Sequence, residues 1–87
     1  MINIQGEITQ IDEVRNDFND KYVATVKQTD NEDCFIEFRG KVMMNVLRPY
    51  QVGESVTISA FIEGKTSKFS GARYNNIVAR NIKTLTP

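Results

Sequence analysis

The chain has 87 residues, of which 40% are hydrophobic and 25% are charged, and eleven basic side chains are balanced by eleven acidic ones. This length predicts one domain over residues 1–87 with a modest core, and the composition is that of an ordinary globular protein. Cys34 is the only cysteine and histidine is absent, which excludes an internal disulfide and a Cys/His zinc site. No apolar run is long enough to span a bilayer, and residues 1–5 alternate like a strand rather than a signal peptide, so we expect a cytoplasmic protein.

The first half of the chain predicts three strands. Apolar residues alternate along the first strand as far as Ile8, and Ile11 and Val14 break the alternation, which indicates a bulge or coil in a long strand. Gly6 in this strand marks a close backbone approach or a bend. The second strand spans residues 21–28. The third strand follows a polar loop, and its apolar face consists of Cys34, Ile36 and Phe38.

The second half predicts a short helix and two further strands. The helix spans residues 41–48, because Pro49 cannot continue it, and its apolar stripe consists of Val42, Val46 and Leu47. The fourth strand spans 55–64 with the clearest alternation in the chain, and its inward face consists of Val56, Ile58, Ala60 and Ile62. A basic loop over 65–72 leads to a fifth strand over 73–84, in which Ile77, Ala79 and Ile82 are apolar and the phase breaks between them.

This order of elements, β-β-β-α-β-β, predicts an all-β protein built as a small five-stranded barrel of the OB type. The OB-fold is a partly open Greek-key barrel that binds its ligands across strands two and three, between the loops that join strands 1–2 and 4–5. An SH3-like barrel is the main competitor, but it normally lacks a helix before the fourth strand.

The sequence contains no catalytic motif of a known kind. It contains no histidine, no phosphate-binding glycine loop and no dinucleotide fingerprint. Its carboxylates cluster in turns without the spacing of a calcium loop, which favours solvated turns over a metal site. We therefore expect neither an enzyme nor a cofactor.

Aromatic and basic residues are interleaved in and next to the predicted 4–5 loop, a pattern typical of single-stranded nucleic-acid sites. Within ten residues the sequence places Lys65, Lys68, Phe69, Arg73 and Tyr74. Phe61 lies just before them, on the polar phase of the fourth strand, where a base stacked on it would explain an apolar ring. A second set, Phe18, Lys27, Phe35 and Arg39, comes from the 1–2 loop and from the outward phases of strands two and three. An OB-fold would bring both sets to one groove. The alternative is that Phe61 and Phe69 fold under the loop or form a subunit contact, and that Tyr74 belongs to the core.

The charges are unevenly distributed along the chain. Residues 1–40 carry nine acidic and four basic side chains, whereas residues 41–87 carry two acidic and seven basic ones. The distribution of charge matters more for a nucleic-acid partner than its sum. The asymmetry hints at a basic face, and an ordinary solvated surface explains it about equally well.

Several short motifs follow one another from the third predicted strand onwards. They are Phe38-Arg39-Gly40-Lys41, a short helix, Val52-Gly53-Glu54-Ser55-Val56, and Tyr74-Asn75-Asn76-Ile77-Val78-Ala79-Arg80-Asn81-Ile82. In this order they resemble small OB-fold single-stranded DNA-binding proteins of bacteria and their phages. The resemblance implies base stacking and phosphate contacts in the groove, at Phe61, Tyr74, Arg73 and Arg39.

The chain departs from these relatives in two respects. Some of them carry a tryptophan at or near the position of Arg39, and this sequence contains none. Cellular members end in a tail with an acidic tip that recruits partners, whereas this sequence ends at Pro87 without one, which favours a compact phage-type protein.

The leading interpretation is a sequence-tolerant protein that binds single-stranded DNA during replication, recombination or repair, with RNA left open as the strand. We expect a homo-oligomer, most simply a dimer, because the core is small and several apolar residues face outward. A different class of function is a protein–protein adaptor in which Phe35, Phe61 and Phe69 anchor a partner, and the zero net charge favours this alternative.

Overall fold

The computed structural model describes residues 1–15 and 19–85. Within these ranges the elements follow the predicted order: β1 (Ile2–Val14), β2 (Lys21–Gln28), β3 (Asp33–Arg39), α1 (Gly40–Leu47), β4 (Ser55–Thr66) and β5 (Arg73–Thr84). The strands form a closed barrel in the order β1-β2-β3-β5-β4, in which β4 pairs back to β1. The protein is therefore an OB-fold barrel with one short helix between β3 and β4, as the sequence predicts.

Strand β1 is long enough to pair with two neighbours. Its first residues pair with β4, and from Gly6 onwards it pairs with β2. The register shifts between Ile8 and Gln10 while pairing continues to Val14, so the predicted break in alternation is a bulge and not coil. A Cβ atom at Gly6 would overlap the backbone carbonyl of Lys27, so glycine is needed where β1 approaches β2 so closely.

The core is filled from every strand. Its fully buried large side chains are Ile8, Val26, Ile36, Phe38, Leu47, Val56 and Ile58. In β5 the predicted phase break is confirmed, because Ala60 pairs with Ala79 while Ser59 pairs with Asn81, which leaves Arg80 as an extra residue. This bulge keeps Ala79 and Ile82 both buried.

Helix α1 packs Leu47 into the barrel core and also buries Met44, but one residue of the predicted apolar stripe does not face the protein. Val42 is 76% exposed. It lies about 200° around the helix from Met44, which takes the buried position instead. The rotation is set where α1 begins, since Gly40 adopts a positive φ of 80° and its N–H donates to the carbonyl of Asp20.

Strands β4 and β5 continue past the barrel as a two-stranded arm, defined here as residues 62–76. The last β1–β4 pair joins Ile2 to Ala60, whereas β4 and β5 stay paired as far as Thr66 and Arg73. Ile62, predicted to face the core, is 54% exposed because it lies beyond that last pair. The predicted 4–5 loop is accordingly shorter, over 67–72. Within the described ranges, no helix is long and apolar enough to cross a membrane.

Candidate nucleic-acid interface

Two adjoining clefts cross the outer surface of β2 and β3, and they share Lys21 and Glu37. One cleft is bounded by Arg39, Glu63 and Lys65, beside residues 19–20 at the end of the 1–2 loop. The other is bounded by Val23, Phe35, Asn75, Asn76 and Ile77. We call the two together the groove. It lies between β2–β3 and the arm, where OB-folds take their ligands.

A chain of ion pairs forms the floor of the groove. Lys21 Nζ and Arg39 Nε both donate to Oε1 of Glu37, at 2.7 and 3.1 Å. The guanidinium fork of Arg39 also donates twice to the carboxylate of Glu63, at 3.0 and 3.1 Å, and Lys65 Nζ lies 3.7 Å from the same carboxylate. Three cations thus contact two carboxylates, so the floor is nearly neutral. A phosphate must compete with these carboxylates for the cations.

The ion pairs shift the pKa values of their members. Burial acts to raise the pKa of Glu37, but the hydrogen bonds from Lys21 and Arg39, with their charges, outweigh it and lower that pKa below the usual value. The hydrogen bond from Arg39 lowers the pKa of Glu63, and the same bond raises the pKa of Arg39. These groups therefore remain ionised at neutral pH.

The predicted aromatic residues fall into two environments. Phe35 on the outer surface of β3 is 62% exposed, Tyr74 on the arm is 49% exposed, and Phe69 at the tip of the arm is fully exposed. Phe61 differs, because it is partly buried and the guanidinium carbon of Arg80 lies 4.4 Å from the centroid of its ring. This cation–π contact covers one face of Phe61, so a base could stack on that face only by displacing Arg80.

The predicted basic residues are also separated. Lys65 borders the groove and pairs with Tyr74 across the arm, whereas Arg73 pairs with Thr66 at the end of the arm. Lys68 is exposed at the tip. Lys27 lies at the far end of β2, opposite Asp33. Phe18 lies outside the described residues.

The structure thus brings Phe35, Arg39 and Lys65 to one groove and leaves Lys27 and Phe61 apart from it. Sequence reasoning missed Lys21, Glu37 and Glu63 as members of the site, although Lys21 shares the outward phase of β2 with Lys27, which was a usable signal. Nothing in the sequence indicates that Asn75 and Asn76 border the groove, because their position depends on how the arm lies against β3.

No group of three or more Cys, Asp or Glu side chains within the described parts of the chain is arranged to hold a metal ion. The groove itself presents the exposed ring of Phe35, the amide groups of Asn75 and Asn76, and the cations that border it. Among the described carboxylates, none forms an ion pair with Lys68 or Arg73, so these two cations are not neutralised as Arg39 is.

No protein-family model and no curated protein sequence matches the chain. A solved structure is similar to it: the N-terminal domain of the PriB protein from Thermoanaerobacter tencongensis, described as dimeric, with a TM-score of 0.56. The match covers 99% of this chain and 96% of that domain at 11% sequence identity. It therefore extends over the whole barrel and establishes a shared fold.

Proposed function

We propose that this protein binds single-stranded DNA in the groove, without regard to base sequence and without catalysing a reaction. The observation that carries the proposal is the position of Phe35. A phenylalanine that is 62% exposed on the outer surface of β3, in a cleft shared with Lys21 and two asparagines, offers a flat apolar face to an unpaired base. Each base stacked on an aromatic side chain contributes about 1–3 kcal/mol, and every base has such a face.

We expect the cations of the arm to contact the phosphates. Lys68 and Arg73 form no ion pair with a described carboxylate, and Lys65 is held only loosely, at 3.7 Å from Glu63. Arg39 is held by two hydrogen bonds to Glu63, so it contributes less unless a phosphate replaces that carboxylate. Affinity should therefore depend on salt mainly through Lys65, Lys68 and Arg73.

The biological setting follows from the ligand. A protein that covers single strands without sequence preference serves replication, recombination or repair. We further propose that it acts as a homodimer, as the PriB domain of the same fold is described to be. Two grooves on one strand would raise the overall affinity through effective concentration. Light scattering at micromolar concentration should give twice the 9.9 kDa chain mass.

A mobility-shift assay with oligo-dT at low and high salt tests the proposal. The wild type should bind at low salt, and Phe35→Ala should weaken binding roughly 5–150-fold, the equivalent of about 1–3 kcal/mol. Val42→Ala is the matched control, because it also removes an exposed apolar side chain, on α1 instead of in the groove. Equal affinities of wild type and Phe35→Ala would remove Phe35 from the site.

A protein–protein adaptor is the second candidate, and exposed apolar residues of the arm favour it. Phe69 at the tip is fully exposed and Ile62 is 54% exposed, so both could serve as anchors for another protein. The two functions separate in the same assay, because an adaptor would leave oligo-dT unbound even at low salt.

A further inference from the structure

One stretch of the chain carries only positive charge. After Glu63 the sequence contains Lys65, Lys68, Arg73, Arg80 and Lys83 and no acidic residue. The structure places Arg80 and Lys83 on the barrel part of β5, away from the groove. Neither forms an ion pair with a carboxylate of the described residues. The charge asymmetry of the sequence thus continues past the arm onto a second surface.

That surface is the outer side of β1, β4 and β5, where polar side chains form two rows across the strands. Asn3, Ser59 and Asn81 are paired in one row, and Gln5, Thr57 and Lys83 in the next. These six residues line a shallow cleft, which we call the β5 face. In the next row Glu7 pairs with Ser55, so the surface without acidic side chains ends at that row.

The bulge in β5 adds a cation to the edge of this face. Because Arg80 is the extra residue in the register, both Arg80 and Asn81 are exposed while Ala79 and Ile82 stay in the core. The guanidinium of Arg80 lies over the ring of Phe61 at 4.4 Å, which holds it next to the β5 face. Bases stack on guanidinium planes as they do on aromatic rings.

The chemistry of the β5 face fits a nucleic-acid strand. Amide and hydroxyl groups both donate and accept hydrogen bonds, and Ser59 already donates to Oδ1 of Asn3 at 3.0 Å. Two cations without described carboxylate partners complement phosphates. A second copy of this chain packed here about a two-fold axis would instead bring two sets of Arg80 and Lys83 together, which like charges oppose.

We propose that the β5 face is a second binding tract for single-stranded DNA, which continues along β5 from the arm. The tract rests on the proposed function of the groove and extends it. Arg73 and Lys83 are separated by ten residues of strand, or about 33 Å, so only a longer strand would reach from the arm to the β5 face. Short strands should occupy the groove alone.

Fluorescence anisotropy tests the tract with oligo-dT of about 6 nucleotides, which lies within the site size of one OB-fold, and of about 20 nucleotides, which exceeds it. For the long strand, the plot of log K against log salt should be less steep in the double variant Arg80→Gln/Lys83→Gln than in the wild type, by about 1.4. This is the loss of two phosphate contacts that each contribute about 0.7. The short strand should be bound as by the wild type. Lys41→Gln on α1 is the control for loss of an exposed cation, and circular dichroism checks the fold of each variant.

The possible outcomes separate the two proposals. An unchanged slope for the long strand in a folded double variant would overturn the second tract while the groove stands. A change in mass by light scattering, without a change in slope, would show that the β5 face contacts another copy of the chain and would also overturn it. If the wild type binds neither strand, the proposed function of the groove fails, and the tract fails with it.

Discussion

Glu37 is the acid at the centre of the groove floor, and its replacement by glutamine should destabilise the fold. Only 10% of its side chain is exposed, and it accepts hydrogen bonds from Lys21 and Arg39. Breaking a fully buried ion pair by removing one partner costs about 3–5 kcal/mol. The side chains of Lys21 and Arg39 are 29% and 36% exposed, so water solvates the cations left without Glu37 and offsets much of that cost. We expect the free energy of unfolding to fall by about 1–2 kcal/mol, between the buried and exposed limits.

The same pairing predicts how stability depends on pH. Because the pKa of Glu37 is lower in the folded than in the unfolded chain, its contribution is present above the unfolded value and is lost as pH falls through the folded value. Glu37→Gln should therefore cost most near neutral pH and little in acid. Urea denaturation at both pH values measures this, with Glu54→Gln as a control for a partly exposed turn carboxylate. Equal midpoints for wild type and Glu37→Gln at neutral pH would show that the ion pairs of Glu37 do not stabilise the fold.

Three further predictions follow from the geometry. Glu63→Gln should release the fork of Arg39 to a phosphate, so the salt dependence of oligo-dT affinity should steepen by about 0.7 in slope, and an unchanged slope would place Arg39 outside the DNA path. Gly6→Ala should lower the free energy of unfolding by about 1–3 kcal/mol, because its Cβ would force β1 away from the carbonyl of Lys27, and a wild-type urea midpoint would contradict this. Cys34 should react with a thiol reagent only as the protein unfolds, because burial raises the pKa of its thiol, and fast reaction of the folded protein would contradict this.

Alternation and chain breakers were enough to predict most of the barrel. The residues of β2 and β5 match their predicted spans, and the bulges in β1 and β5 follow from apolar residues that leave the two-residue period. Both errors lie where alternation no longer decides burial. Ile62 keeps the inward phase but lies on the arm past the barrel, and Val42 depends on how α1 is rotated where it begins.

The candidate site was less predictable, because its chemistry depends on pairs that are distant in sequence. Arg39 and Glu63 are 24 residues apart, and only the path of the arm brings their side chains together. The sequence predicts Arg39 as a free cation, whereas the structure gives it two carboxylate partners. Likewise, Phe61 lies on the polar phase of β4 as predicted, yet its ring is covered by Arg80. Arg80 is the extra residue of the bulge in β5.

Whether the groove binds single-stranded DNA is decided by the affinity of the wild-type protein for oligo-dT, measured by anisotropy over a salt series. For a strand of about 6 nucleotides, which occupies the groove alone, log K should fall linearly with log salt with a slope of about −2 if Lys65, Lys68 and Arg73 each contact a phosphate, because each contact to a single strand contributes about 0.7. A duplex of about 20 base pairs should bind more weakly than oligo-dT of about 20 nucleotides, because its paired bases cannot stack on Phe35. Absence of oligo-dT binding at about 50 mM salt, where phosphate contacts are strongest, would contradict the claim.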